Sequence, residues 1–167
     1  SSAAGTRTFG NVTVNAGGLW NATVAGAAIG IAGNLTNNGT FTANTGVYTL
    51  TGSVKTINAS VSLLIPNLTI SGFYTNTITA ASGLTVSTAL SGAGLLTQAA
   101  SSLLFISGTS GIAGLDASAS LNKVTYDGAG TQTIKSATYY NATFTNANTK
   151  TLGGNITING NLTISSG

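Results

Sequence analysis

Apolar and polar residues alternate one by one through much of this chain. Trp20, Ala22 and Val24 share a parity, as do Leu68 with Ile70 and Ala142 with Phe144. Each of these stretches carries an Asn-x-Thr whose Asn and Thr fall on the opposite parity. A period of two is that of a β-strand with one face buried. The residue types agree, because Thr, Val, Ile and Tyr favour strands while Ser, Asn and Gly form helices poorly. The chain is therefore expected to be all-β.

Parity also distinguishes two ways of joining the strands. Ile158-Asn159-Gly160-Asn161 has the composition of a type I′ hairpin turn, since Asn-Gly tolerates positive φ. A two-residue hairpin would set Ile158 opposite Asn161 and Thr157 opposite Leu162, mixing apolar with polar side chains on each face. If the chain instead bends at Gly160 and continues, Ile156, Ile158, Leu162 and Ile164 all keep one parity. Leu35, Gly39, Phe41 and Ala43 behave in the same way, and so do Leu84, Val86 and Leu90. The pattern favours strand–corner–strand.

The last forty or so residues, from Ala129, recur earlier in the same order. AGTRTF at 4–9 anticipates AGTQTI at 129–134, and GSVKTI at 52–57 answers both. An apolar residue followed by Asn-x-Thr appears at 20–23, 66–69 and 140–143, and AGNLTNNGTFTANTG at 32–46 lies over GGNITINGNLTISSG at 153–167 without a gap. Strand–corner–strand units in repetition predict a parallel β-solenoid, or β-helix, in which each coil covers the edge of the one before. Repeat starts near 4, 52 and 129 are 48 and 77 residues apart. With coils of roughly 20–25 residues these are about two and three coils. The stretch 95–121 in the longer interval reads as an additional coil; Leu95, Ala99 and Leu103 have helical spacing, but the Leu104-Phe105-Ile106 that follows fits strand–turn–strand. The whole chain, 1–167, is expected to be one repeat-built domain with imperfect repeats over 4–51, 52–128 and 129–167. The alternative is an antiparallel immunoglobulin-like β-sandwich, which also has short strands and frequent turn residues.

Charge narrows the functional classes. Five basic and two acidic residues make up 4% of the chain, against roughly a quarter in an ordinary globular protein. The net charge of +3 is spread over scattered cations and forms no basic patch, so nucleic acid is not an expected partner. With 42% hydrophobic residues and one proline, the chain can bury enough surface to fold rather than remain a Ser/Thr/Asn-rich linker. The longest run without a polar side chain, VAGAAIGIAG at 24–33, is too short to span a bilayer. The opening residues SSAAGTRT have neither the basic nor the apolar region of a signal sequence, so the chain is read as mature or as a segment of something longer.

Catalysis and metal binding lack their usual residues. Cysteine and histidine are both absent, which leaves Asp116, Asp127 and the lysines. Asp127 precedes Gly-Ala-Gly and Asp116 follows Gly-Leu, both positions where Asp initiates turns. A glycosidase pair would need the two carboxylates brought together, and nothing in the sequence positions them. The GAG stretch lacks the Gly-Lys-Ser/Thr ending of a phosphate loop. The chain is thus expected not to be an enzyme and to carry no cofactor or metal. Trp20, Tyr48, Phe73-Tyr74 and Tyr139-Tyr140 form either a sugar-binding platform or, as we favour, core residues and stacked ladders. Nine asparagines precede x-Ser/Thr and are candidate glycan acceptors: Asn11, Asn21, Asn34, Asn38, Asn58, Asn67, Asn141, Asn155 and Asn161. The repeat itself explains most of them, and outward Asn and Thr suit hydrogen-bonded ladders between coils.

VTYDGAGTQTI at 124–134, followed by TYYNATFTNANTKTLGGNITINGNLTI, resembles the repeat modules of very long secreted surface proteins of Bacteroidota. Those modules read V-x-Y/F-x-G-x-G-x-Q-T-V/I, then Y-x-N-L/A-T, then K-T-L-x-G-N-I/L-T-V/I-x-G-x-L/I-T. The third repeat matches almost throughout, the second in part, and the first departs around 17–31. The resemblance extends over about two-thirds of the chain. It implies an extracellular or cell-surface location and a structural role, as a stalk, adhesin or filament-forming segment without catalysis. The alternative class is a carbohydrate-binding module recognising surface glycans; a third, a catalytic β-helix acting on polysaccharide, would depend on Asp127. Gly167 corresponds to Gly46, after which the first copy continues, and the chain opens at the equivalent of Ala129. The expected partners are therefore flanking repeats or further copies of the chain, stacked end to end over open strand edges.

Overall fold

A computed structural model describes residues 5–23 and 25–166. Ala4, Val24 and Gly167, each used in the reading above, lie outside the described residues. The architecture is a parallel β-solenoid of eight three-stranded coils, built from strands of two to five residues. Every strand pairing among the described residues is parallel, which excludes the sandwich.

The first strands of the coils are Arg7–Phe9, Ile29–Ile31, Val47–Leu50, Asn67–Ile70, Ala89–Ser91, Thr109–Ser110, Gln132–Ile134 and Lys150–Leu152; stacked, they form the first face. The second face runs from Val12–Val14 through Leu35–Asn37, Lys55–Ala59, Phe73–Asn76, Leu95–Gln98, Gly114–Asp116 and Thr138–Tyr139 to Thr157–Ile158. The third runs from Leu19–Asn21 through Thr40–Thr42, Leu63–Leu64, Leu84–Val86, Leu103–Ile106, Lys123–Tyr126 and Asn141–Phe144 to Leu162–Ile164. Regular pairing is interrupted once on each face, where neighbouring strands remain in contact. Coil length varies around the expected range: Gln132 pairs with Lys150, 18 residues on, and Val12 with Leu35, 23 residues on.

Alternation sets the core. Leu35 and Ala43, Leu68 and Ile70, Leu84, Val86 and Leu90, and Ala142 and Phe144 are all buried, while Asn67, Thr69, Asn141 and Thr143 point outward. One apolar core runs the length of the solenoid. Near its start the aromatics form a ladder: Phe9 meets Trp20 edge-on at 5.5 Å, Trp20 stacks on Phe41 at 5.7 Å, and Phe41 leads to Tyr48 at 5.6 Å. Trp20 Nε1–H donates to the Tyr48 hydroxyl at 2.9 Å, so both polar tips are satisfied inside the ladder. Gly39 and Gly160 sit at corners between the second and third faces, as parity predicts, and the stretch 95–121 is strand–corner–strand, with strands at 95–98, 103–106, 109–110 and 114–116.

The repeats map onto this frame unevenly. Within these copies Arg7–Phe9 and Gln132–Ile134 both lie on the first face, whereas Lys55–Ala59, which takes in the end of GSVKTI, lies on the second. Asn21 and Asn141 lie on the third face, but Asn67 is on the first. The copies 32–46 and 153–166 agree, each covering the second-to-third corner of its coil. Coils 1 and 2 therefore recur as coils 7 and 8.

The corner between the first and second faces places Gly10, Gly33, Gly52, Gly72 and Gly94 in successive coils. Their carbonyls accept from the coil above: Gly33 N–H donates to Gly10 O at 2.7 Å, Phe73 N–H to Gly52 O at 2.9 Å and Leu95 N–H to Gly72 O at 2.9 Å. A Cβ on Gly33 would stand 2.7 Å from the Gly10 carbonyl oxygen, and Cβ atoms on Gly72 and Gly94 would collide with the carbonyl oxygens of Gly52 and Gly72. From Gly33 to Gly94 glycine is required for close approach rather than for its torsion angles. Gly72→Ala should lower the unfolding free energy by about 2 kcal/mol or more in urea titration. Gly130→Ala, where an added methyl meets nothing within 4 Å, should change it by less than about 0.5 kcal/mol.

Candidate functional site

The candidate chemistry is distributed over the corners, where backbone polar groups leave the strand ladders and side chains must meet them. Asp116 accepts from the Ser118 N–H at 3.0 Å and from its hydroxyl at 2.7 Å, which is an Asx turn. Asp127 accepts from the Ser107 hydroxyl of the preceding coil at 2.7 Å. The whole third-face strand 123–126 separates the two carboxylates along the chain. Among the described residues no group of three or more metal-ligating side chains occurs. No helix there is long and apolar enough to cross a membrane.

Long polar side chains bind three of these corners from inside. The Tyr74 hydroxyl lies 2.9 Å from the carbonyl oxygens of both Ile31 and Gly33 and accepts from Gly52 N–H at 3.1 Å. Gln132 does the same work at the third-to-first corner. Its Nε2 donates to Ile106 O and Gly108 O, each at 2.8 Å, while its Oε1 accepts from Gly128 N–H at 2.8 Å. The amide matches two acceptors and one donor, so every group is satisfied. One coil on, Lys150 reaches down from the same position and its Nζ donates to Gly128 O at 2.8 Å. Partial desolvation holds the Lys150 ammonium below the usual lysine range, and the nearby Asp127 charge opposes that shift.

A closed ring of hydrogen bonds fixes the corner between the first and second faces of coil 7. Lys135 N–H donates to the Tyr126 hydroxyl at 3.1 Å, and the Tyr139 hydroxyl donates to Lys135 O at 2.6 Å. Tyr126 then donates to Tyr139 at 3.1 Å, the one direction that leaves each oxygen with a single proton. Both rings are fully buried. Burial raises both phenol pKa values above the usual range, and the neighbouring phenol reinforces the effect on Tyr139. Two buried amides stack between coils 4 and 5, where Asn76 Nδ2 donates to Gln98 Oε1 at 2.8 Å and to Leu103 O at 3.0 Å.

These placements decide the aromatic question residue by residue. Tyr48, Tyr74 and Tyr139 are core residues and Trp20 belongs to the stacked ladder, so these four do not form an open platform. Phe73, 56% exposed, and the half-buried Tyr140 and Trp20 are the members that reach solvent.

The nine sequon asparagines all lie outside the core, exposed or half-buried. They differ in what their amides do. Asn11 Oδ1 accepts from Asn34 N–H at 2.8 Å and Asn34 Oδ1 from Thr56 N–H at 3.0 Å, an outward ladder climbing one coil at a time. Asn38 accepts from Ser60 N–H at 3.3 Å and Asn58 from the Thr77 hydroxyl at 3.2 Å. Asn67 and Asn141 spend Nδ2, the atom a glycan would occupy, on Thr45 O at 3.0 Å and Asn122 O at 3.1 Å. Asn21, Asn155 and Asn161 are exposed near the two ends of the solenoid.

The corner-binding side chains were not singled out by sequence reasoning. Gln132 belongs to the quoted Gly-x-Gly-x-Gln-Thr pattern, and a conspicuous Gln at an inward parity position was the available signal. Family models, curated proteins and solved structures were each compared with the chain, and none matches.

The buried phenols give the fold a pH dependence. Above about pH 10 the unfolded chain ionises its tyrosines, while burial makes Tyr126 and Tyr139 hold their protons to higher pH in the fold. The unfolded state then binds fewer protons, so stability present below pH 10 declines as pH rises. Tyr139→Phe should remove about 1.4 kcal/mol per pH unit from that slope. It should also cost about 1–2 kcal/mol at neutral pH through the broken ring, both read from denaturant unfolding.

Proposed function

We propose that this chain is an extracellular structural module, a segment of a stalk, adhesin or filament in which solenoid coils repeat along one axis. The observation that carries the reading is the recurrence of coils 1 and 2 as coils 7 and 8, matching residues occupying matching faces. A module whose first and last coil pairs share a sequence pattern can be placed in series without changing the stacking rule. The surface supports the same role. Outward positions carry Thr, Ser and Asn ladders with few charges, as suits a rod whose contribution is length. Secretion and the resemblance to surface-protein modules belong to this proposal.

Eight coils at the inter-strand spacing make a rod of about 40 Å. Two copies joined in series, Gly167 to Ser1, should scatter X-rays as one straight rod of about twice that length, with a higher Tm than the single copy. Two beads on a flexible tether, melting as the single copy does, would contradict the proposal.

A further inference from the structure

Arg7, Gln132 and Lys150 occupy the same place in their coils, the first residue of the first-face strand. AGTRTF and AGTQTI align Arg7 with Gln132, and Gln132 pairs in register with Lys150. Two of the three reach down to the corner beneath them. The acceptor follows one rule: it is the carbonyl two residues past the end of the third-face strand. Gln132 takes Gly108, two past Ile106, and Lys150 takes Gly128, two past Tyr126. Arg7 is exposed, and among the described residues its side chain makes only a long contact to Gly5 O, 3.4 Å.

The next acceptor in the series is Asn146, two past Phe144, in the corner between coils 7 and 8. Asn146 has a positive φ of 71°, and its corner opens as a cavity of about 350 Å³ between Asn146, Asn148, Lys150 and Ile164. At the opposite end of the solenoid Arg7 lines a second cavity of about 270 Å³ with Leu19 and Trp20. The strands bordering these sites carry exposed apolar side chains, with Leu19 at 69% and Ile164 at 74%.

We propose that coil 1 of a second copy of this chain docks on coil 8, with Arg7 inserted at the Asn146 corner as Gln132 and Lys150 are inserted at theirs. This inference rests on the structural role proposed above and specifies the contact through which copies join. The interface continues one already built between coils of the same chain. It has a built-in electrostatic opposition. In register, Arg7 takes the place above Lys150 that Lys150 takes above Gln132, so two cations become neighbours. The docked state is therefore favoured by salt, which shortens the Debye length from about 30 Å at 0.01 M to about 3 Å at 1 M.

Sedimentation velocity of the 167-residue chain at those two salt concentrations tests this, with circular dichroism confirming that each variant is folded. Association should rise with salt in the unaltered chain. Arg7→Gln and Lys150→Gln each remove one cation and keep a donor for the corner carbonyl, so both should associate nearly equally at low and high salt. Arg7→Ala should associate about tenfold more weakly than Arg7→Gln at high salt. Association that is the same in all four proteins would overturn the Arg7 contact and leave the structural role standing. Monomers throughout, with the joined two-copy chain still a single rod, would overturn docking between separate copies alone. Monomers throughout, with that two-copy chain scattering as two beads, would overturn both readings.

Discussion

Backbone stacked on backbone at the inter-strand distance is the constraint on which the rest of this molecule depends. Along the faces the constraint is easily met, because parallel strands are made to lie at that spacing. At the corners it is severe. The chain turns there while still donating to the carbonyl below, as Gly33 does to Gly10, and a side chain pointing along the axis has nowhere to go. The glycine column from Gly33 to Gly94 follows from that geometry. So does the use of Asn at other corners, where a short amide reaches the neighbouring coil, as Asn44 does to Ala22 O and Asn67 to Thr45 O.

Turning the chain also leaves carbonyls and N–H groups directed inward, where water is excluded and an unpaired polar group costs about 1–3 kcal/mol. Tyr74, Gln132, Lys150 and the Tyr126–Tyr139 pair are different answers to that single problem. Gln132 answers it most fully, because two donors and one acceptor coincide with two carbonyls and one N–H. Tyr74 has one proton for two carbonyls. The phenols add buried ring area that the amide does not, and this accounts for four of the five tyrosines lying in the core.

Parity made the sequence legible to the level of strand, corner and inward face. Leu35, Leu68, Leu84 and Ala142 point inward where alternation puts them, and the chain passes through Gly160 without reversing. The face on which a strand lies was not legible. GSVKTI and AGTRTF look alike because a strand entered from a glycine corner has the same local requirements on any face, yet one lies on the second face and the other on the first. Only the longer match, 32–46 with 153–167, spans enough of a coil to keep its place. The inward polar residues were hidden for a related reason. Gln98 and Asn76 occupy apolar parity positions, and their partners lie 22 residues apart in sequence, beyond the reach of any local pattern.

The Asn76–Gln98 pair bears on how such a chain avoids folding wrongly. Coils of nearly equal length and similar grammar invite a characteristic error, the omission of one coil so that its neighbours join directly. Apolar side chains would tolerate this, since one inward Leu or Ile packs on another. The amides would not. If coil 5 were looped out, Asn76 would lose Gln98 and face Ala117, whose methyl side chain cannot accept its proton. A pair that contributes modestly to the correct structure thus counts heavily against the skipped one, and serves as a coil counter in the middle of a sequence that otherwise repeats.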